Sequence, residues 1–373
     1  MIPVSNPIHA PHTAKYLRDC VTTGWFSSHG PFVSTFETSF AHWLGVRYAF
    51  TTTSGTSALH LALAALNIRK GDEVIVPTFT MFSPVAAILY VGATPVFVDS
   101  DPRTWTMDIS QVTKLITKRT AAILAVHTYG HPVDMDALRK LSQKHKLALI
   151  EDAAEGLGAL YKNRNVGTLA DIACFSFYAN KPVTTGEGGM VTTNSGYLAN
   201  RLNLLRDMAY HPKKRFLHTE LGFTYRMSNM QAAVGLSYLE HIRTIIKKKN
   251  LIASLYHKLL SRIPQISLQS SAPWATPICW MYCIVLNKKS PIQRVTFRQL
   301  LADKGIETRD FFVPAHRQPV LRKLNIKTSN HFPVANSISK CGLYLPSGPK
   351  ISSRDIHYIY RTIQSLYANV PAL

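Results

Sequence analysis

Lys181 ends the run Ser176-Phe177-Tyr178-Ala179-Asn180-Lys181, Thr184-Thr185-Gly186-Glu187-Gly188-Gly189 follows it, and Glu151-Asp152-Ala153-Ala154-Glu155 lies upstream. A single lysine among small, aromatic and glycine residues is a poor solvated charge. Burial or a nearby cation lowers an amine's pKa and makes it nucleophilic, so Lys181 suits Schiff-base chemistry. A pyridoxal cofactor also needs a carboxylate to keep its ring nitrogen protonated, so that the ring can act as an electron sink. Asp152 is the candidate. Glu155 either approaches the cofactor's phenolic edge or the substrate, or is a solvated carboxylate. Taken singly these residues are ordinary; their order along the chain singles them out. Glu187 reads as holding the glycine turn.

A phosphate needs its own cradle. Thr53-Ser54-Gly55-Thr56-Ser57 directly precedes an Ala/Leu-rich helical stretch. Free N–H groups and the helix dipole favour an anion there, with Gly55 and Thr56 nearest. The same residues also read as an ordinary N-cap. Ser176 is a further hydroxyl donor, five residues before Lys181.

The elements that position these residues alternate. Short strands are expected at 48–52, 73–76, 95–98, 121–126 and 147–150, with helices from Gly55 to Leu66, up to Tyr90 and over 135–145. Continuous apolar strands between helices predict an α/β fold with a mostly parallel, doubly covered sheet. Ligands of such sheets sit at the strands' carboxyl ends, and Asp152 falls just past one. A long helical segment runs from Ser228 to about Leu260, with a break. The remainder reads as α+β: strand 280–286, helix 294–304 and a last helix after Ser352. At 373 residues two domains are expected. These are a large domain over 1–245, including an N-terminal segment 1–30, and a smaller one over 246–373.

The chain carries 42 Lys plus Arg against 21 Asp plus Glu, a net charge of +21. That invites a nucleic-acid reading, or a non-catalytic cationic binding protein. The basic residues are dispersed, no nucleic-acid module is visible, and the densest clusters are Lys213-Lys214-Arg215 and Lys247-Lys248-Lys249. The second is read as a solvated helix face. Five scattered cysteines form no C-x-x-C pair and are expected to be reduced, with no metal. No apolar run of about 18 residues and no basic-then-apolar start occurs, so no membrane span is expected and the location is predicted to be cytoplasmic.

Over essentially its whole length the chain resembles the sugar aminotransferases of the DegT/DnrJ/EryC1/StrS family. The similarity includes Gly24-Trp25-Phe26-Ser27-Ser28-His29-Gly30, Thr53-Ser54-Gly55-Thr56-Ser57-Ala58-Leu59, Gly71-Asp72-Glu73-Val74-Ile75-Val76-Pro77-Thr78-Phe79-Thr80 and Tyr225-Arg226-Met227-Ser228-Asn229-Met230-Gln231, besides the lysine and aspartate motifs. The resemblance implies a fold type I transferase using pyridoxal 5′-phosphate, with pyridoxamine 5′-phosphate as its aminated form. It implies L-glutamate as amino donor and a nucleotide-linked 4-keto-6-deoxy sugar as acceptor, GDP-linked by expectation and dTDP- or UDP-linked as the alternative. Lys181 would carry the cofactor and move the proton, Asp152 would pair with the ring nitrogen, and Gly55, Thr56 and Ser176 would hold the phosphate. Asn229 would reach the phosphate of a neighbouring subunit, making a homodimer. Arg309 and His316 would lie near the sugar nucleotide. Met81 or Phe82 stands where relatives place an aromatic residue over the cofactor ring. Asp207-Met208-Ala209 replaces a polar residue and glycine. Relatives that act as dehydratases carry His where Lys181 stands, and those acting at C3 tend to have Asp where Glu187 stands, so the resemblance implies transfer at C4.

Overall fold

The computed structural model describes residues 1–211, 213–328 and 331–368. Seven strands form the main sheet: β1 (Tyr48–Thr52), β2 (Glu73–Pro77), β3 (Thr94–Val98), β4 (Thr120–Val126), β5 (Ala148–Asp152), β6 (Ile172–Ser176) and β7 (Gly189–Thr193), in the order β1-β7-β6-β5-β4-β2-β3. Only β7 runs against the others. Both faces are covered, and strand alternation divides the side chains between them. Val74, Val76, Ala122, Leu124 and Ile150 enter one core, while Ile75, Ile123, Ala125 and Leu149 enter another. The continuous apolar runs follow from this double burial.

Asp152 is the last residue of β5 rather than the residue beyond a strand ending at 150. Two positions after Ile150, it points to the face of the first core. The helix after β1 (Gly55–Ala65) packs on that face. Ala58, Leu59, Leu61, Ala62, Leu63 and Ala65 are all buried, as expected of a helix apolar on every side. Its N-terminus and the end of β5 therefore share one face and one edge of the sheet.

The helical stretch from 229 breaks at His241 into Asn229–Glu240 and Ile242–Leu260. The second helix joins two cores. Ile242 and Ile245 pack with the large-sheet residues, whereas Ile252, Tyr256, Leu259 and Leu260 pack with the C-terminal core. That core covers one face of a four-stranded antiparallel sheet built from Ile266–Leu268, Tyr282–Leu286, Gly342–Leu345 and Arg309–Asp310. Tyr282, Ile284 and Leu286 face it, while Cys283 and Val285 turn to the first large-sheet core. Ile2 and Val4 also join this region: Ile2 pairs with Gly305 and Glu307, and the Ser347 N–H donates to the Val4 carbonyl.

The dense lysine run needs a correction. Lys247 and Lys248 are exposed, but Lys249 is only 3% exposed. It follows Ile242 and Ile245 by helical spacing, which turns it into the core. The other basic cluster lies at the strand Lys214–His218 and includes the side chain of Arg215, which is outside the described residues. All five cysteines are free, with Cys20, Cys174 and Cys283 buried. Among the described residues no helix is long and apolar enough to cross a membrane.

Candidate active site

The phosphate end is built from β1, β6 and the helix 55–65. Ser54 caps the helix by accepting from Ser57 N, and the Ser57 hydroxyl accepts from Ser54 N, which completes a capping box. Gly55 and Thr56 then occupy the first helical positions, whose N–H groups have no acceptor within the helix. A Cβ on Gly55 would lie 2.8 Å from Ser176 Cβ and 3.2 Å from Ser176 Oγ. The structure therefore brings Gly55 and Ser176, 121 residues apart, into direct apposition. Thr56 Oγ1 donates to Ser83 Oγ at 2.9 Å, which orients it.

At the other end lies Asp152, 5% exposed, with Oδ1 accepting from Ala154 N at 3.0 Å. Burial pushes its carboxyl pKa up, against the opposing pull of the Ala154 N–H and of the Lys181 charge. Among the described residues no cation forms a salt bridge with Asp152. The preceding residue, Glu151, faces the opposite side of the sheet and is fully engaged there. It accepts from Gly167 N, Leu169 N and His127 Nε2. Because His127 Nδ1 accepts from Val133 N, the ring proton sits on Nε2. This buried pair anchors the end of β5 that presents Asp152.

Lys181 is positioned by a closed loop between β6 and β7. Phe177 N donates to Gly188 O, Thr185 N to Phe177 O, and Lys181 N to Tyr178 O. Gly186 turns at φ +81°, a conformation that strains residues with a Cβ. Glu187 secures the turn through its carbonyl, which accepts from Thr185 Oγ1 and Gln231 Nε2. Lys181 Nζ lies 3.4 Å from the centroid of the Trp280 ring. Burial lowers its pKa to about 8, and Lys249 acts in the same direction; Glu155 and Asp152 hold it up in part. Glu155 is 6% exposed, its Oε2 accepts from Tyr129 N at 2.6 Å, and burial raises its pKa to about 7. Of the two readings of Glu155, the solvated carboxylate is excluded by this burial.

Trp280, Tyr129 and Lys249 had no signal in the local sequence. Tyr129 holds φ +54° in the turn after β4 and stacks on Phe312 (centroids 5.2 Å apart) and Trp280 (6.3 Å). Next to it, a side chain on Gly130 would collide with the carbonyl of Ile278, which fixes the segment leading to Trp280.

His316 is buried, its Nδ1 2.7 Å from Thr78 Oγ1 in the loop after β2, and burial lowers its pKa. Arg309 is exposed and forms a long ion pair with Glu307 (3.5 Å). Its strand pairs with Tyr344, whose ring lies 6.0 Å from that of Tyr129. Met81 is 53% exposed, whereas Phe82 packs against the large core. Asp207 is paired with Arg226 at 2.6 Å. Asn229 is 1% exposed and works within its own chain. Its Oδ1 accepts from Phe32 N and its Nδ2 donates to Trp25 O, both at 2.8 Å, while Gly30 leaves it room. A reach to a neighbouring subunit's phosphate would require exchanging these bonds.

The residues present fit pyridoxal phosphate. A glycine-serine cradle lies at a helix N-terminus, a buried carboxylate wants a cation, and a partly neutral amine sits nearby. The family model of the DegT/DnrJ/EryC1/StrS aminotransferase family matches residues 7–364. The chain belongs to this family. It is 41% identical to the GDP-perosamine synthase of Escherichia coli O157:H7 across 99% of both chains. It is 39% identical to that of Vibrio cholerae, across 98% of this chain and 99% of that one. Among solved structures, Streptomyces venezuelae DesV in complex with a ketimine intermediate superposes with a TM-score of 0.90 at 33% identity, covering 96% of this chain and 95% of that one. The protein is thus a sugar aminotransferase of the pyridoxal-phosphate-dependent class.

Proposed function

We propose that the protein moves an amino group from L-glutamate to C4 of GDP-4-keto-6-deoxymannose, giving GDP-perosamine and 2-oxoglutarate. The observation that carries this reading is the Lys181 amine, held beneath Trp280 with its pKa near 8 and facing the buried carboxylates of Asp152 and Glu155. The choice of sugar rests on the likeness to the GDP-perosamine synthases.

When bound, pyridoxal phosphate supplies a carbonyl that takes up amines and a conjugated ring that spreads negative charge. Gly55, Thr56 and Ser176 bind its phosphate. Asp152 holds a proton on the ring nitrogen, and its own burial strengthens that pairing. Lys181, whose pKa near 8 leaves part of it unprotonated at neutral pH, would take the proton from the donor's α-carbon and give one to C4 of the sugar. Glu155, its pKa raised to about 7, shares a proton with its surroundings near neutral pH and would face the phenolic edge of the ring. Trp280 and Tyr129 exclude water, Met81 or Phe82 would cover the ring, and Arg309 and His316 would meet the sugar nucleotide. In this reading residues 1–245 form the cofactor domain and 246–373 the smaller one. The enzyme works as a cytoplasmic homodimer, and its product feeds a surface polysaccharide such as an O-antigen.

The test is an absorbance titration of the purified protein. The visible band of bound pyridoxal phosphate should bleach with L-glutamate and return with GDP-4-keto-6-deoxymannose, and Lys181→Ala should do neither. Bleaching that returns only with dTDP- or UDP-linked keto sugars would reject the GDP sugar and keep the aminotransferase. A wild type with no band after pyridoxal phosphate is added would reject the proposed site.

A further inference from the structure

Lys249 is a cation in a place that suits an apolar residue. Its neighbours on the same helix face are Ile242, Ile245, Ile252 and Tyr256, all buried. Its Nζ donates to the carbonyls of Trp280 (2.7 Å) and Ser347 (2.9 Å). No carboxylate forms a salt bridge with it among the described residues. Burying an ammonium costs stability that two carbonyls only partly offset, and apolar replacements of buried charges are often neutral or stabilising. A role other than stability is therefore indicated.

Its partners are informative. Trp280 carries the ring that covers Lys181 Nζ. Ser347 accepts from Tyr282 N, and the adjacent Pro346 carbonyl accepts from Tyr256 Oη, so this segment is fixed from two sides. Lys249, Lys181 and Asn180 line one small cavity. The titratable groups around Lys181 are Asp152, Glu155 and Lys249; those around Lys249 are Lys181, Cys279 and Cys283, and burial lowers the pKa of Lys249 itself while it raises those of the two thiols.

We propose that Lys249 is a positioning residue for the reactive amine: its side chain fixes the Trp280 backbone so that the indole covers Lys181 and keeps it from water. The proposal rests on Lys181 being the reactive amine.

The test measures the Lys181 midpoint directly, without turnover. Apoprotein is reductively methylated across about pH 6 to 10, and the Lys181 peptide is quantified by mass spectrometry. In Lys249→Met and Lys249→Gln the midpoint should rise by about one unit, a roughly tenfold loss of neutral amine at neutral pH. In Lys249→Arg, which keeps a charged donor for the two carbonyls, it should stay. An unchanged midpoint in either folded neutral variant overturns the proposal, as does an equal rise in Lys249→Arg. Unfolding of both neutral variants beside a folded Lys249→Arg would assign the residue to stability alone and also overturn it. Pyridoxal phosphate loading of the wild type is recorded separately. A wild type that loads while the midpoints do not move loses this proposal and keeps the proposed function; one that does not load loses the function itself.

Discussion

Gly55→Ala isolates the phosphate cradle. The added methyl would lie 2.8 Å from Ser176 Cβ and 3.3 Å from Ser176 Cα, so it must gain about 0.6 Å to reach ordinary contact. Neither side yields easily, because Ser176 is paired with Gly189 in the sheet and Gly55 opens a largely buried helix. Overpacking of this kind costs about 1–3 kcal/mol of stability. The same displacement separates the helix N–H groups from the Ser176 hydroxyl that share the phosphate. Loss of one hydrogen bond to a charged group, about 1.5–3 kcal/mol, weakens binding roughly 10- to 100-fold. The assay is an absorbance titration of apoprotein with pyridoxal phosphate and, as a control, with pyridoxal. Affinity should fall for the first and hold for the second. The pair Gly55→Ala with Ser176→Gly should recover stability, because the clashing Cβ is gone, but not phosphate affinity, because the hydroxyl is gone too. Wild-type affinity in Gly55→Ala, or equal losses for both ligands, would refute the cradle.

Asp152→Asn should keep the phosphate contacts yet lower turnover by at least about a hundredfold, since an amide cannot hold the ring proton as a carboxylate does; steady-state kinetics beside cofactor occupancy checks this. Glu155, raised to about 7 by burial, keeps a proton in the folded state that the unfolded chain releases above its ordinary value of 4.5. Its contribution is therefore fully present below about 4.5 and lost as pH rises through 7, with a slope of at most about 1.4 kcal/mol per unit. Urea unfolding of wild type and Glu155→Gln at several pH values should show their difference shrinking with that sign; a parallel pair of curves would contradict the burial argument. Asn229→Ala leaves Phe32 N and Trp25 O without their partner and should cost about 2–4 kcal/mol, with faster proteolysis of the 25–32 segment. Unchanged melting and cleavage would remove that role.

Local chemistry determined much of this protein before any folding argument. The apolar strand runs, the Ser54 cap and the Gly186 turn each depend on residues close in sequence, so the α/β alternation and the lysine loop were legible, with helix 135–145 placed to the residue. The aspartate and lysine motifs were legible for the same reason: each is a strand end joined to its loop. What folding alone decided were the contacts between distant segments. Trp280 reaches Lys181 across 99 residues of chain, Ser176 meets Gly55, and Asn229 ties down the 25–32 loop. Lys249 shows the limit most plainly. In the sequence it is the third lysine of a basic run, and a run of like charges reads as solvated. Helical rotation places 247 and 248 in water and 249 in the core, and the carbonyls waiting there come from segments 31 and 98 residues away. A charge's environment is set by what packs against it, and that information resides in the fold.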